Sequence, residues 1–228
     1  MPMVTYPVEG TTGSAYLAIP ASGKGPGVIV IQEWWGLNDQ IKGVADMFAR
    51  EGFVALAPDF YHGKGAKIGE PNEAQKLMME LFGANTAAKD AKAAATYLTA
   101  QSAVTSAKVG VIGFCMGGFV ALISANEAPD KVAAAVDCYG VGQRLPDLSR
   151  AKGIPVLAIF GGKDHSTGPE QIGALEAAAK ASGVPLTKHV YPDADHAFLN
   201  EQRPEVHRAA DAKDACGRIL PFLRANVK

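Results

Sequence analysis

Short apolar runs alternate with longer amphipathic stretches along almost the whole chain, and this order restricts the fold more than any other feature. Residues 27–31 form a strand-length, β-branched run, and residues 39–51 then carry Ile41, Val44, Ala45 and Phe48 at helical spacing. A strand over 53–57 is halted by Pro58-Asp59, followed by a mixed stretch over 72–82 and an alanine-rich helix over 86–101. Strands over 108–113 and 132–137 flank a helix that begins near Met116. A strand over 155–160, a helix over 169–182, a strand over 186–191 and a final helix over 205–225 complete the series. In that last helix Val206, Ala209, Ala210 and Ile219 or Leu220 are expected to share the inward face. Parallel neighbours need crossover connections, which helices supply, so the pattern predicts an α/β fold with a mostly parallel sheet covered on both faces. Two alternating segments, 4–7 and 14–19, flank Glu9-Gly10-Thr11-Thr12 and predict an antiparallel hairpin at the sheet edge. No repeat, linker or low-complexity segment interrupts the series, so residues 1–228 are expected to form one domain.

Composition narrows the function classes. The chain is 48% hydrophobic and 20% charged, the balance of an ordinary globular protein, and its 228 residues can bury a substantial core. Its 22 basic and 23 acidic residues leave a net charge of −1, which gives nucleic acid or an anionic membrane no electrostatic purchase. The apolar runs fall far short of the roughly 20 residues a membrane span requires. Residues 1–10 lack the basic lead and apolar run of a signal peptide. The expectation is a soluble, cytoplasmic protein, monomeric or a small homo-oligomer, with no membrane or nucleic-acid partner. Cys115, Cys138 and Cys216 are odd in number and widely spaced, unlike a disulfide framework or a structural zinc site.

Reactive groups in an open α/β sheet gather beyond the carboxyl ends of the strands. There, after Val109-Gly110-Val111-Ile112, stands Gly113-Phe114-Cys115-Met116-Gly117-Gly118, and a helix follows. This is a nucleophile elbow with cysteine at its apex. Glycines two residues either side make room for a strained turn, and the helix start sets N–H groups and positive dipole beside the sulfur, favouring the thiolate. Two plainer readings compete: a packing cysteine in a glycine-rich turn, or a phosphate-binding loop, although the glycines match neither Gly-X-Gly-X-X-Gly nor a Gly-Lys-Ser/Thr ending.

A cysteine nucleophile needs a base and an orienting acid, and in this fold class they follow it in the order acid, histidine. Asp164 follows the strand over 155–160 directly, in Gly161-Gly162-Lys163-Asp164-His165. His196 lies between the last strand and the last helix, in Asp193-Ala194-Asp195-His196-Ala197-Phe198. Asp193 and Asp195 read as turn formers, and His62, His165, His189 and His207 as surface or supporting residues. The oxyanion hole is expected from the N–H of Met116 and that of Trp34, in the loop Gln32-Glu33-Trp34-Trp35-Gly36. Two adjacent tryptophans are costly to leave in water, so Trp34 and Trp35 either wall a substrate pocket or cap the core.

Together Gln32-Glu33-Trp34-Trp35-Gly36, Pro58-Asp59-Phe60-Tyr61, the Cys115 elbow, Tyr139-Gly140-Val141-Gly142, Gly162-Lys163-Asp164-His165 and Asp195-His196-Ala197-Phe198 resemble the dienelactone hydrolase family over nearly the whole chain. The resemblance implies an α/β-hydrolase fold, a Cys115–Asp164–His196 triad, and cleavage of a small ester or lactone through an acyl-enzyme thioester. It implies that Glu33 contacts the thiol and helps govern its ionisation, since a carboxylate beside a thiolate raises its pKa. Trp35, Tyr61, Tyr139 and Phe198 are the pocket residues expected from the same segments.

Members that cleave dienelactone hold the substrate carboxylate with two arginines, one shortly after the Asp-X-Tyr segment and one shortly after the triad histidine. Here the stretches read Tyr61-His62-Gly63-Lys64 and His196-Ala197-Phe198-Leu199-Asn200, with no arginine, and loss of a bidentate clamp is not conservative. The expected enzyme is a cysteine hydrolase with no metal or organic cofactor, acting on neutral or weakly charged substrates. The alternatives are a thiol redox enzyme, which needs a resolving cysteine, and a non-catalytic small-molecule binding protein on the same fold.

Overall fold

In the computed structural model, which describes residues 2–228, eight strands form one sheet in the order β1-β2-β4-β3-β5-β6-β7-β8. The expected hairpin is present as β1 (Met3–Val8) against β2 (Thr11–Ala18), and β1 takes the outer edge. From β3 (Gly27–Ile31) onward, β4 (Val54–Pro58), β5 (Val109–Phe114), β6 (Val132–Cys138), β7 (Val156–Gly161) and β8 (Leu186–Tyr191) are parallel. Strands β3, β4, β5 and β7 are buried on both faces, which is why they read as continuous apolar runs; β8, at the far edge, carries exposed Thr187 and Lys188.

Helices fill the crossovers. On one face, α1 (Asp39–Arg50) buries Ile41, Ala45, Phe48 and Ala49, and its start is capped by Asn38 Oδ1, which accepts the Ile41 N–H at 3.1 Å. α6 (Ala209–Asn226) lies on the same face, packed on β6 and β7. The opposite face carries α2 (Pro71–Gly83), α3 (Thr86–Thr99), α4 (Met116–Glu127) and α5 (Pro169–Ser182), with Leu77, Leu98, Val120 and Leu175 in its core.

The final helix departs from expectation. It starts at Ala209, not Glu205, and its inward residues are Ala215, Ile219 and Leu223, while Ala209 and Ala210 are exposed and Val206 is only half-buried. Residues 200–208 are spent on turns: Arg203 N–H donates to Asn200 O, and Arg208 N–H ties back to Phe198 O at 3.1 Å. The tie from Arg208 back to Phe198 holds this segment in turns, and the helix begins directly after it.

Candidate active site

The carboxyl ends of β3, β5, β6, β7 and β8 open on one edge, and the predicted residues converge there. Cys115 follows β5 with φ 53° and ψ −124°, a conformation that L-residues avoid, and caps α4. A Cβ at Gly113 would lie 1.8 Å from the Gly117 carbonyl oxygen, and one at Gly117 would lie 2.4 Å from the Gln32 oxygen, so strand, helix and the neighbouring loop meet backbone to backbone. Cys115 N–H donates to Cys138 O at 2.9 Å, fixing the apex against β6, and Gly118 N–H returns to Cys115 O at 2.8 Å. Met116, the first helical residue, has no intrahelical acceptor for its N–H.

His196 Nδ1 donates to Asp164 Oδ2 at 2.7 Å. The other carboxylate oxygen, Oδ1, accepts the Ser166 N–H at 2.8 Å and its hydroxyl at 2.6 Å. Burial alone would raise the Asp164 carboxyl, but the His196 contact and the two Ser166 donors outweigh it and hold it below its ordinary value. His196 shows the complementary shift: burial opposes its charge, yet the Cys115 sulfur and then Asp164 raise it to about 10. His196 is therefore coupled to both neighbours, with imidazole Nδ1 committed to the Asp164 carboxylate and the Cys115 sulfur close enough to raise its pKa. Substituting Cys115→Ser removes the titratable sulfur, and the His196 midpoint is then expected to fall below about 10. An NMR titration of the imidazole Cε1–H reads this; an unchanged midpoint would remove the sulfur as the cause.

Glu33 lies beneath the same edge, 2% exposed. Its Oε2 accepts the Asn200 side-chain N–H at 2.9 Å, and its Oε1 has no hydrogen-bond partner. Burial raises its carboxyl above the ordinary value, against the opposing pull of Asn200, His196 and Arg203. The equally unpartnered hydroxyl of Tyr139 is near enough to influence Glu33 without reaching well-formed hydrogen-bond geometry. Tyr139 itself has φ 46°, held by Asp137 Oδ1, which accepts the Gly140 N–H at 2.7 Å; its ring packs edgewise on His196 with centroids 5.1 Å apart.

Trp34 is half-buried beside this edge, and its N–H has no backbone acceptor among the described residues. Trp35, Tyr61, Tyr139 and Phe198 are all buried, Tyr61 in the core on one face of the sheet and Tyr139 and Phe198 in the core on the other, and Trp34 is the more exposed ring. Ser166 and Asn200 are the partners that sequence reasoning did not single out. For Ser166 the signal was available, since Asp followed two residues later by a donor is a turn pattern; Asn200 was noticed only as a missing arginine. Asp193, one of the competing acids, pairs with Lys163 at 3.2 Å on the surface. A surface cleft of about 760 Å³ lined by Tyr16, Ile19, Asp46 and Arg50 shares no residue with this constellation. Among the described residues no cluster of three or more His, Cys, Asp or Glu is disposed to hold a metal ion, and no helix is long and apolar enough to cross a membrane.

The family model for the dienelactone hydrolase family matches residues 14–227. The chain belongs to the dienelactone hydrolase family. Among similar proteins, Protein usf of Aquifex pyrophilus is 37% identical over 227 residues, covering 97% of each chain. A protein of Aquifex aeolicus (strain VF5) named "Putative carboxymethylenebutenolidase" is 34% identical, covering 99% of each. The solved structure m3DLH superposes with a TM-score of 0.89 at 26% identity, covering 100% of this chain and 98% of that one. The fold is accordingly that of an α/β-hydrolase, and the chain is a dienelactone hydrolase-like ester or lactone hydrolase. Within this family member the basic side chains nearest the missing arginines in sequence are already engaged: Lys64 pairs with Glu80 at 3.0 Å, the His62 ring meets Asp90 at 3.0 Å, and Arg203 pairs with Glu205 at 2.8 Å.

Proposed function

We propose that this hydrolase uses Cys115 as its nucleophile and acts on small, uncharged esters or lactones. The observation that carries the reading is the set Cys115, His196 and Asp164, with the sulfur at a strained turn and the imidazole held by the Asp164 carboxylate at 2.7 Å. The proton shared between Cys115 and His196 is held on the imidazole as sulfur bonds to the substrate carbonyl carbon, and the resulting oxyanion is met by the Met116 and Trp34 N–H groups. Collapse breaks the carbon–oxygen bond, and His196 returns the proton to the leaving alkoxide or enolate. A water, deprotonated by His196, then attacks the thioester; carboxylic acid leaves and the thiol is restored. Glu33, buried at the same edge with one oxygen on Asn200, is assigned to the site as its second acidic group, facing His196.

A thiol redox reaction is poorly supported by the other cysteines. Cys138 is on the adjacent strand, but burial pushes its thiol well above the ordinary range, leaving it a poor resolving nucleophile.

Rapid quenching during turnover of an aryl ester, followed by peptide mass analysis, should place the acyl group on the peptide containing Cys115. An acyl group on another residue, or turnover with none trapped under burst conditions, sinks the cysteine assignment. With Asn200 in place of a cation and Lys64 and Arg203 paired elsewhere, neutral aryl esters and lactones are expected to exceed a carboxylate-bearing dienelactone in kcat/KM by about tenfold or more, the discrimination expected when a charged group meets no partner. A preference for the dienelactone contradicts this specificity.

A further inference from the structure

Tyr61 sits in the segment that follows β4, and its hydroxyl reaches across to two other elements. It donates to the Trp34 carbonyl oxygen at 3.1 Å and lies 3.2 Å from the Met116 sulfur. Those residues carry the two N–H groups assigned above to the oxyanion hole, so one hydroxyl touches both halves of it. We propose that Tyr61 is a positioning residue that sets the geometry of the oxyanion hole, an inference that rests on the cysteine-hydrolase reading.

The peptide geometry explains why such a brace matters. Residues 33–36 make a turn in which Gly36 N–H donates to Glu33 O at 3.2 Å, and Gly36 has φ 98°. That bond fixes the plane of the peptide joining Glu33 to Trp34, and a trans peptide points its N–H opposite to its C=O, so the direction of the Trp34 N–H is set from one side. The next peptide, joining Trp34 to Trp35, is fixed by Tyr61 through the Trp34 carbonyl. With both planes held, the Trp34 N–H has little freedom to swing. On the other half of the hole, the Tyr61 hydroxyl packs against the side chain of Met116, the first residue of α4.

Tyr61 is itself held. Its N–H donates to Asp59 Oδ1 at 3.0 Å, while Asp59 Oδ2 accepts the Gly63 N–H at 2.6 Å, so one buried carboxylate closes the turn that aims the ring. Two further bonds latch the same loops: Phe60 N–H to Gln32 Oε1 at 3.3 Å, and Ala66 N–H to Trp35 O at 3.0 Å. The loops after β3 and β4 thus meet as one piece, and the tyrosine hydroxyl ties it to the Met116 side chain at the start of α4. A ring 5% exposed, with its hydroxyl spent on protein atoms, is suited to aligning donors and unsuited to binding substrate.

The test is Tyr61→Phe, which keeps the ring and removes the hydroxyl, assayed below its own unfolding transition. Removing an oxyanion donor outright costs 10²- to 10³-fold in kcat, and loosening one is expected to cost about tenfold. The expected result is kcat for an aryl ester lowered about tenfold, with KM and the rate of Cys115 alkylation by iodoacetamide each within about twofold of wild type. Alkylation needs the thiolate and His196 but develops no oxyanion, so it separates the hole from the nucleophile. An unchanged kcat, a rise in KM alone, or a parallel loss of hydrolysis and alkylation each overturns the proposal. Wild-type protein that keeps its activity after iodoacetamide has modified Cys115 instead refutes the nucleophile assignment beneath it.

Discussion

Cys115→Ala is expected to lower kcat/KM for aryl esters by about 10⁴-fold or more, the scale on which loss of a nucleophile leaves only the contributions of binding and the oxyanion hole. His196→Ala should produce a comparable loss. If the two side chains act as a unit, as the proposed mechanism requires, the double variant should be scarcely slower than either single one. Steady-state assays on the three proteins at matched concentration, with folding checked by circular dichroism, measure all of this. Retention of a tenth of wild-type activity by Cys115→Ala would remove sulfur from the mechanism. Full additivity of the two losses would mean that Cys115 and His196 serve separate steps.

The parts of this site that were legible in the sequence are those whose geometry is local. The elbow reads out directly, because the glycines at positions 113 and 117 and the switch from strand to helix all lie within a few residues of Cys115. Asp164 and His196 were readable by chain order and by their places after β7 and β8, since a parallel sheet delivers successive strand ends to one edge. The alternation of strands and helices was equally plain, because β3, β4, β5 and β7 are buried on both faces and read as continuous apolar runs.

What escaped notice depends on contacts between distant segments. Asn200 is 167 residues from Glu33, and nothing in either neighbourhood announces that a buried amide will meet a buried carboxylate. The start of α6 was misplaced because Val206, Ala209 and Ala210 continue a helical spacing, while the tie from Arg208 to Phe198 that delays the helix is tertiary. The aromatic residues were recognised as neighbours of the site, but their depth was not. Rings such as Tyr139 and Phe198 add apolar area that is best buried, so they move behind the reactive edge and support His196 from there. Tyr61 follows the same logic, and its hydroxyl turns inward to find an acceptor.

Gly113→Ala should be the most disruptive single-methyl change at this edge. The added carbon would lie 1.8 Å from the Gly117 oxygen and 2.1 Å from its carbonyl carbon, so the first turn of α4 would have to retreat. It has nowhere to go, because Gly117 is itself pressed against the Ile31 and Gln32 backbones. A clash of backbone with backbone cannot be relieved by a rotamer change, and a cost of about 4 kcal/mol or more is expected, a large part of the 5–15 kcal/mol that holds a typical domain folded. Gly43 and Gly173 provide internal controls: both are exposed in helices, α1 and α5, and a methyl there would meet nothing within 4 Å. Gly43→Ala and Gly173→Ala should each stabilise by about 0.5–1 kcal/mol, because alanine loses less conformational freedom in a helix. Urea unfolding of the three variants gives the comparison. If Gly113→Ala unfolds at the wild-type midpoint, the close approach of β5 to the first turn of α4 is wrong, and with it the strained turn on which Cys115 is raised.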